Sequence, residues 1–220
     1  MEIIETPFLV ETSNLDDRPY CELLAGKRYL LFFGTLNPMK GVPLIAQIIR
    51  SLLSSHPELF FVFIGKECGG YLGKSMMQHV WEEAGPYRGR VLYLGQLRHE
   101  QLYPILANAL AVVLPSRVDN LPNTCLEAMA HRRVVIGTRG TGFEQLITEG
   151  RNGFLCDSES SASLLEALEK TLRMTDEERH RMGEEAWQRV HQFRPEIVVN
   201  QLISFYQRVL DTVAKNSSRG

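Results

Sequence analysis

The sequence predicts a doubly wound α/β domain, with a parallel sheet covered by helices on both faces and further helices at its C-terminal end. Short runs rich in Val, Ile, Phe and Tyr alternate with longer stretches whose apolar residues recur at helical spacing. The short runs are almost continuously apolar, which fits strands buried on both faces rather than strands with one wet side. The strand–helix alternation implies right-handed crossovers in an open sheet. The 220 residues hold too few such units for a closed eightfold barrel.

In order along the chain, residues 1–28 read as a linker or incoming arm. The stretch 12–18 is polar, and Pro7 and Pro19 interrupt regular structure, leaving room for one strand at 7–10. Residues 29–214 are expected to form the domain. Strands are predicted at 29–33, 59–64, 91–94, 111–114 and 134–136, with helices at 42–53, 72–84, 100–108 and 121–130. A short strand at 153–155 follows, and the remainder reads as helical. Residues 161–173 carry Leu164, Leu165 and Leu168 on one stripe. Thr175-Asp176-Glu177-Glu178 has the pattern of a capping box, opening a helix to about residue 190. Pro195 suits the first turn of a last helix to about residue 213, and 215–220 are expected to fray.

Composition narrows the function classes. With 44% apolar and 23% charged residues the chain can bury a core, so disorder is not expected. A net charge of -2 gives no global attraction to nucleic acid or to an anionic membrane. The apolar runs are too short to span a bilayer, and no secretory signal opens the chain. Cys21, Cys68, Cys125 and Cys156 are scattered without a CxxC pair and read as reduced thiols of a cytoplasmic protein. The six histidines are dispersed, with no HxxxH or HxH, so no metal site is expected.

Ligands of open parallel sheets bind at the carboxyl ends of the strands, where helix N-termini point. Three segments fall there. Gly34-Thr35-Leu36-Asn37-Pro38-Met39-Lys40-Gly41 follows the first strand: glycine admits close backbone approach, and Lys40 can reach a phosphate oxygen. The same segment also reads as an ordinary βα turn with a solvated lysine, and it lacks the order of a P-loop. In the second segment, Pro115 to Ala130, Pro122 is expected to pre-set the first helical turn. The N–H groups of Asn123, Thr124 and Cys125 would then face a pyrophosphate. Glu127, one turn further in, can accept both hydroxyls of a ribose, and Asp119 leaves the strand end. Asp119 reads equally as a turn-capping aspartate, and Glu127 as a solvated helix residue. The third segment, Gly137-Thr138-Arg139-Gly140-Thr141-Gly142-Phe143-Glu144, has three glycines that would admit close approach to a ligand or simply shape a loop.

Taken together these residues resemble a known pattern. A strand followed by Gly-x-x-x-x-x-Lys-Gly, then Leu94-Gly95-Gln96-Leu97, then Pro115-Ser116-x-x-Asp119-x7-Glu127-Ala128-Met129-Ala130, then Gly140-x-Gly142-x-Glu144 is similar to the C-terminal, donor-binding domain of GT-B fold retaining glycosyltransferases. The likeness is to the group 1, family 4 type, which includes sucrose synthases, bacterial mannosyltransferases and lipopolysaccharide glucosyltransferases. It covers about residues 29–200.

The resemblance implies a Rossmann-like fold forming one half of a GT-B enzyme. It also implies transfer of a hexose from a nucleoside-diphosphate sugar to a saccharide or lipid-linked acceptor, with retention of configuration. A UDP-sugar such as UDP-glucose is favoured over a GDP-sugar. Lys40 and Asp119 would be catalytic. Gly34, Thr35, Lys40, Leu97, Asp119, Asn123, Thr124 and Glu127 would bind the nucleotide sugar: Lys40 at the diphosphate, Leu97 at the base, Asn123 and Thr124 at the phosphates, Glu127 at the ribose. Neither a cofactor nor a metal is implied. The acceptor half would be a preceding domain or a separate N-terminal acceptor-domain chain. The inner membrane face is a second expected location beside the cytoplasm.

The sequence departs from the family pattern at several positions. Thr35 stands where the family has arginine; one positive charge fewer would weaken donor binding or leave the role to Arg139 or Arg117. Asp119 is one methylene shorter than the usual glutamate, and Asn120-Leu121-Pro122 replaces glycine-aromatic-glycine. Arg132 and Val134 replace a glycine and a proline at a helix-to-strand turn, where they bear on packing. The first two departures favour the alternative, a non-catalytic nucleotide-sugar-binding subunit or sensor.

Overall fold

The computed structural model describes residues 6–10 and 13–217. Six apolar runs form the strands β1 (Arg28–Phe33), β2 (Leu59–Ile64), β3 (Val91–Tyr93), β4 (Ala111–Val113), β5 (Val134–Thr138) and β6 (Phe154–Cys156). They make one parallel sheet in the order β3-β2-β1-β4-β5-β6, so the winding reverses between β1 and β4. Leu31 sits in register with Val62 on one side and Val112 on the other. The helices are α1 (Arg18–Leu23), α2 (Val42–Ser55), α3 (Met76–Ala84), α4 (His99–Asn108), α5 (Asn123–Ala130), α6 (Phe143–Leu146), α7 (Ser161–Arg173), α8 (Asp176–His191) and α9 (Pro195–Ser217).

Because strand side chains alternate in direction, each strand feeds two cores. Leu30 and Phe32 of β1 join Phe61 and Phe63 of β2 under α2, α3 and α7. Tyr29, Leu31 and Phe33 join Val62 and Ile64 under α4, α5, α6 and α8. Both faces are buried, which explains the near-continuous apolar strands.

Helix dipoles and carbonyls have a fixed sense in this arrangement. The helices that follow strands have their N-termini at the carboxyl edge of the sheet and their C-termini at the opposite edge, where the last carbonyls lack helical partners, while α8, entered from α7, starts at that opposite edge. Arginines fill that need. Arg90 donates to the carbonyl of Leu53 (2.6 Å) in the last turn of α2 and to those of His56 (2.8 Å), Pro57 (3.0 Å) and Leu59 (3.1 Å) beyond it. Arg133 donates to those of His131 (3.1 Å) and Ala109 (3.3 Å), after α5 and α4. Arg179 holds those of Thr171, in the last turn of α7, and Met174, just after it.

Several expectations need correction. No strand forms at 7–10: Phe8 makes one backbone bond, its N–H to the Phe193 carbonyl at 2.8 Å. Residues 11 and 12 lie outside the described residues. Helix α1 forms across Pro19 because proline is tolerated in a first turn, where its missing N–H has no helical acceptor. The helix predicted from 72 starts at Met76, capped by Ser75, since Leu72 lies at φ +53° and stays exposed in a turn. The short α6 was not foreseen. Residues 215–217, expected to fray, continue α9, and 218–220 lie outside the described residues. The capping box of α8 forms as read: Thr175 Oγ1 accepts from the Glu178 N–H, and Glu178 accepts from the Thr175 N–H at 2.7 Å.

The departure at Arg132 has a structural account. After α5 the N–H groups of Arg132 and Arg133 bond the carbonyls of Met129 (2.9 Å) and Ala128 (3.0 Å), the pairing that closes a helix through a left-handed residue. Arg132 takes that position at φ +57°, where glycine is usual. Its guanidinium pairs with Glu184 at 2.7 Å and lies over the Trp187 ring at 4.6 Å, tying the turn to α8. Gly183 lets α8 approach: a Cβ there would lie 2.1 Å from the Arg132 carbonyl oxygen.

Urea denaturation should therefore show Gly183→Ala less stable by about 1–3 kcal/mol, the cost of overpacking against rigid backbone. Arg132→Gly should shift stability by less than about 1 kcal/mol, because relief of left-handed strain offsets the lost ion pair and ring contact.

Candidate functional site

At the β1/β4 reversal, loops from neighbouring strands leave toward opposite faces and open a crevice at the sheet's carboxyl edge. β1 ends at Gly34, with φ +130°, whose N–H bonds the Ile64 carbonyl at 3.0 Å. Asn37 then caps a 3-10 turn, Pro38–Lys40, its Oδ1 accepting from the Lys40 N–H at 2.8 Å. Gly41, at φ +77°, starts α2 and touches the loop after β4; a Cβ there would lie 1.9 Å from the Pro115 carbonyl oxygen. The Arg117 N–H bonds the Met39 carbonyl at 2.8 Å. These contacts deliver Lys40 to Asp119, with Nζ 2.6 Å from Oδ2. The Asp119 side chain is only 13% exposed and that of Lys40 37%, so the ammonium retains access to solvent.

The Asp119 loop is pinned from its other side by the third glycine-rich segment. The Gly142 N–H bonds the Asp119 carbonyl at 2.7 Å, and a Cβ on Gly142 would lie 1.8 Å from the Asn120 carbonyl oxygen. That glycine admits the protein's own backbone. Gly137 likewise makes room for the Phe143 ring.

Helix α5 begins over the end of β1, where a Cβ on Gly34 would meet Thr124 Cγ2 at 3.6 Å. Pro122 is the N-cap, at ψ 101°, rather than the first helical residue. The helix therefore starts at Asn123, two residues later than the predicted 121, and the Cys125 N–H is spent on the Pro122 carbonyl at 2.9 Å. Asn123 and Thr124, ahead of the first intrahelical bond, present the amide groups available to a ligand.

Glu127 lies one turn deeper, its side chain 14% exposed, which removes the reading of a solvated helix residue. Burial pushes its carboxyl above the usual range, opposed in part by His99, whose Nε2 is 4.0 Å from Oε1. The His99 ring stacks on Tyr103 at 5.3 Å and 10°. Glu127, His99 and Tyr103 line a cleft of about 420 Å³ that the N-terminal arm closes with Phe8, Leu9, Ser13 and Asn14. Leu97, half-buried, sits two residues before His99 on the loop that starts α4.

The candidate residues thus form two neighbouring groups. Gly34, Lys40, Asp119, Asn123 and Thr124 surround the end of β1, with half-buried Thr35 following Gly34 in the turn. Glu127 and Leu97 flank the start of α4. Arg117 and Arg139, named as sources of a second charge, are engaged by carboxylates. Arg117 is paired with Glu159, and Arg139 lies 3.4 Å from Glu149 and 3.3 Å from Asp157. Sequence reasoning missed Asn37, His99 and the bracing by Gly142. Asn37-Pro38 carries a turn signature that announces the first; the other two depend on contacts distant in sequence.

The family model for glycosyl transferases group 1 matches residues 19–189. The D-inositol 3-phosphate glycosyltransferase of Corynebacterium glutamicum (strain R) is 28% identical over 195 residues, which cover 88% of this chain and 46% of that protein. The structure of the C-terminal domain of a glycosyl transferase group 1 family protein, LpcC from Francisella tularensis, superposes with TM-score 0.70 at 18% identity, covering 86% of this chain and 96% of that one. Anabaena HepE, solved in complex with UDP, superposes with TM-score 0.71 at 20% identity over 84% of this chain and 50% of its own; it has also been solved with UDP-glucose. The chain spans about half the length of the curated relatives it matches. It belongs to the group 1 glycosyltransferases and has the fold of the C-terminal half of a GT-B enzyme.

Proposed function

We propose that this chain is the donor-binding half of a retaining hexosyltransferase that uses a UDP-sugar and acts with an acceptor-binding half. The observation that carries the reading is the Lys40–Asp119 pair, 2.6 Å apart, beside the open first turn of α5 at the strand reversal. In this reading the pyrophosphate lies on the N–H groups of Asn123 and Thr124, at the positive end of the α5 dipole. An ammonium carries three donors, so Lys40 can hold Asp119 and still donate to a β-phosphate oxygen. The ribose hydroxyls donate to Glu127, and the base lies by Leu97. HepE with bound UDP and UDP-glucose supports UDP over GDP.

The reaction breaks the bond between sugar C1 and the β-phosphate oxygen, and that oxygen keeps the electron pair. The acceptor hydroxyl bonds to C1 on the same face and passes its proton to the departing phosphate. Charge grows on the β-phosphate as the bond breaks, so donors already aimed there favour the transition state. Asp119 faces the sugar and supports positive charge developing at C1. Lys40 and the helix dipole supply the positive field, and the mechanism assigns no role to a metal.

A second reading is a non-catalytic donor-binding subunit. Thr35 in place of arginine favours it, as Arg117 and Arg139 are held by carboxylates. Sugar transfer by the chain combined with an acceptor half separates the two readings.

In calorimetry, Lys40→Ala should weaken UDP binding about tenfold or more, the loss of a charge-assisted hydrogen bond. Unchanged affinity would remove the basis for the assignment. Asp119→Asn should leave UDP affinity within a few fold while abolishing transfer. NMR of the product's anomeric proton tests retention.

Glu127 yields a paired prediction on stability and binding. Its carboxyl is raised in the fold, so the protonated form favours folding. That contribution is full below the unfolded value and is lost as pH rises through the folded one. Glu127→Gln should therefore gain stability over wild type between about pH 4 and 7 while losing UDP affinity. A variant that is less stable at pH 7 than at pH 4, relative to wild type, would contradict the burial argument.

A further inference from the structure

At the edge of the sheet opposite Lys40, a cleft of about 290 Å³ lies between the end of α4, the turn after α5 and the start of α8. Its charged lining is Arg132, Arg133, Asp176, Arg179 and His180. Arg132 is paired with Glu184, and Arg179 with Asp176, the one acid in the lining. Arg133 is different. Among the described residues no carboxylate lies within ion-pair distance of it, although it is half-buried. Its Nε and Nη1 are spent on the carbonyls of His131 and Ala109, and among the described residues Nη2 has no acceptor. Burial pushes its guanidinium below the usual range, as expected of a charge removed from water without a counter-ion. His180 stands exposed beside it.

We propose that this cleft is a binding site for a phosphate dianion, free or as a monoester, anchored by Arg133 with Arg132 and His180 at its rim. A guanidinium is suited to phosphate oxygens through planar, charge-assisted donors. The two nearest carbonyls do not repel the ligand strongly, because each already accepts from Arg133. The site lies at the end of the strands opposite the candidate donor site, and it stands whether or not the donor assignment holds.

The test is calorimetry and thermal denaturation with inorganic phosphate against chloride at matched ionic strength. Wild type should bind one phosphate and melt at a higher temperature in its presence, as any ligand of the folded form requires. Lys40→Ala should keep that affinity within about twofold, and Arg133→Gln should weaken it at least about tenfold. His180→Glu alters an exposed residue, should melt like wild type in chloride, and should lose phosphate binding; it serves if Arg133→Gln does not fold. An arm with glucose 6-phosphate separates the free ion from a monoester, tighter binding favouring the ester. Absence of binding in wild type overturns the proposal. So does binding lost in Lys40→Ala yet kept in Arg133→Gln or His180→Glu, since that would place the ion at the donor site.

Discussion

The candidate site depends on a close approach of two backbones, Gly41 against the carbonyl of Pro115. Two loops leave adjacent parallel strands in opposite directions, and they must touch for their side chains to meet. Glycine at 41 permits that contact, and Asn37 fixes the turn that aims Lys40. Gly142 braces the partner loop from behind through the Asp119 carbonyl. The Lys40–Asp119 pair is thus the product of three backbone arrangements, each specified by a residue with no chemistry of its own.

A second constraint is the electrostatic sense of a parallel α/β domain. With every strand parallel, a helix that follows a strand runs back antiparallel to the sheet, so most amide ends collect at one edge and most carbonyl ends at the other; α8, which follows α7 directly, starts at the second edge. The two edges have different needs. The first offers N–H groups to anions at α5. The second is closed by arginine donors at α2, α4, α5 and α7. Arg133 belongs to this second set, and alone among the arginines of its cleft it lacks a carboxylate, the feature on which the proposed phosphate site rests.

The domain also holds local costs at two positions. Arg132 occupies a left-handed position that glycine would fill without strain, and it compensates by gripping α8 through Glu184 and Trp187. Glu127 is held in a partly dry cleft where its charge is disfavoured. A carboxylate placed against its own stability is expected where a ligand's hydroxyl groups will complete its hydrogen bonds.

The sequence by itself determined the α/β class and the position of every strand to within about two residues, because strands buried on both faces must be continuously apolar. It also placed the candidate residues at the carboxyl edge, since that follows from the order of strand, turn and helix. It missed α1 and α6, expected a strand at 7–10 where none forms, and misjudged the starts of α3 and α5, where a positive φ at Leu72 and the extended Pro122 outweighed the apolar period. Only the tertiary structure decided which of those residues meet. The pairing of Lys40 with Asp119, the burial of Glu127 beside His99, the use of Gly142 as a brace and the capture of Arg117 and Arg139 by acids all link positions far apart in the chain. Such contacts are set by the reversal of the sheet between β1 and β4, and no local periodicity encodes them.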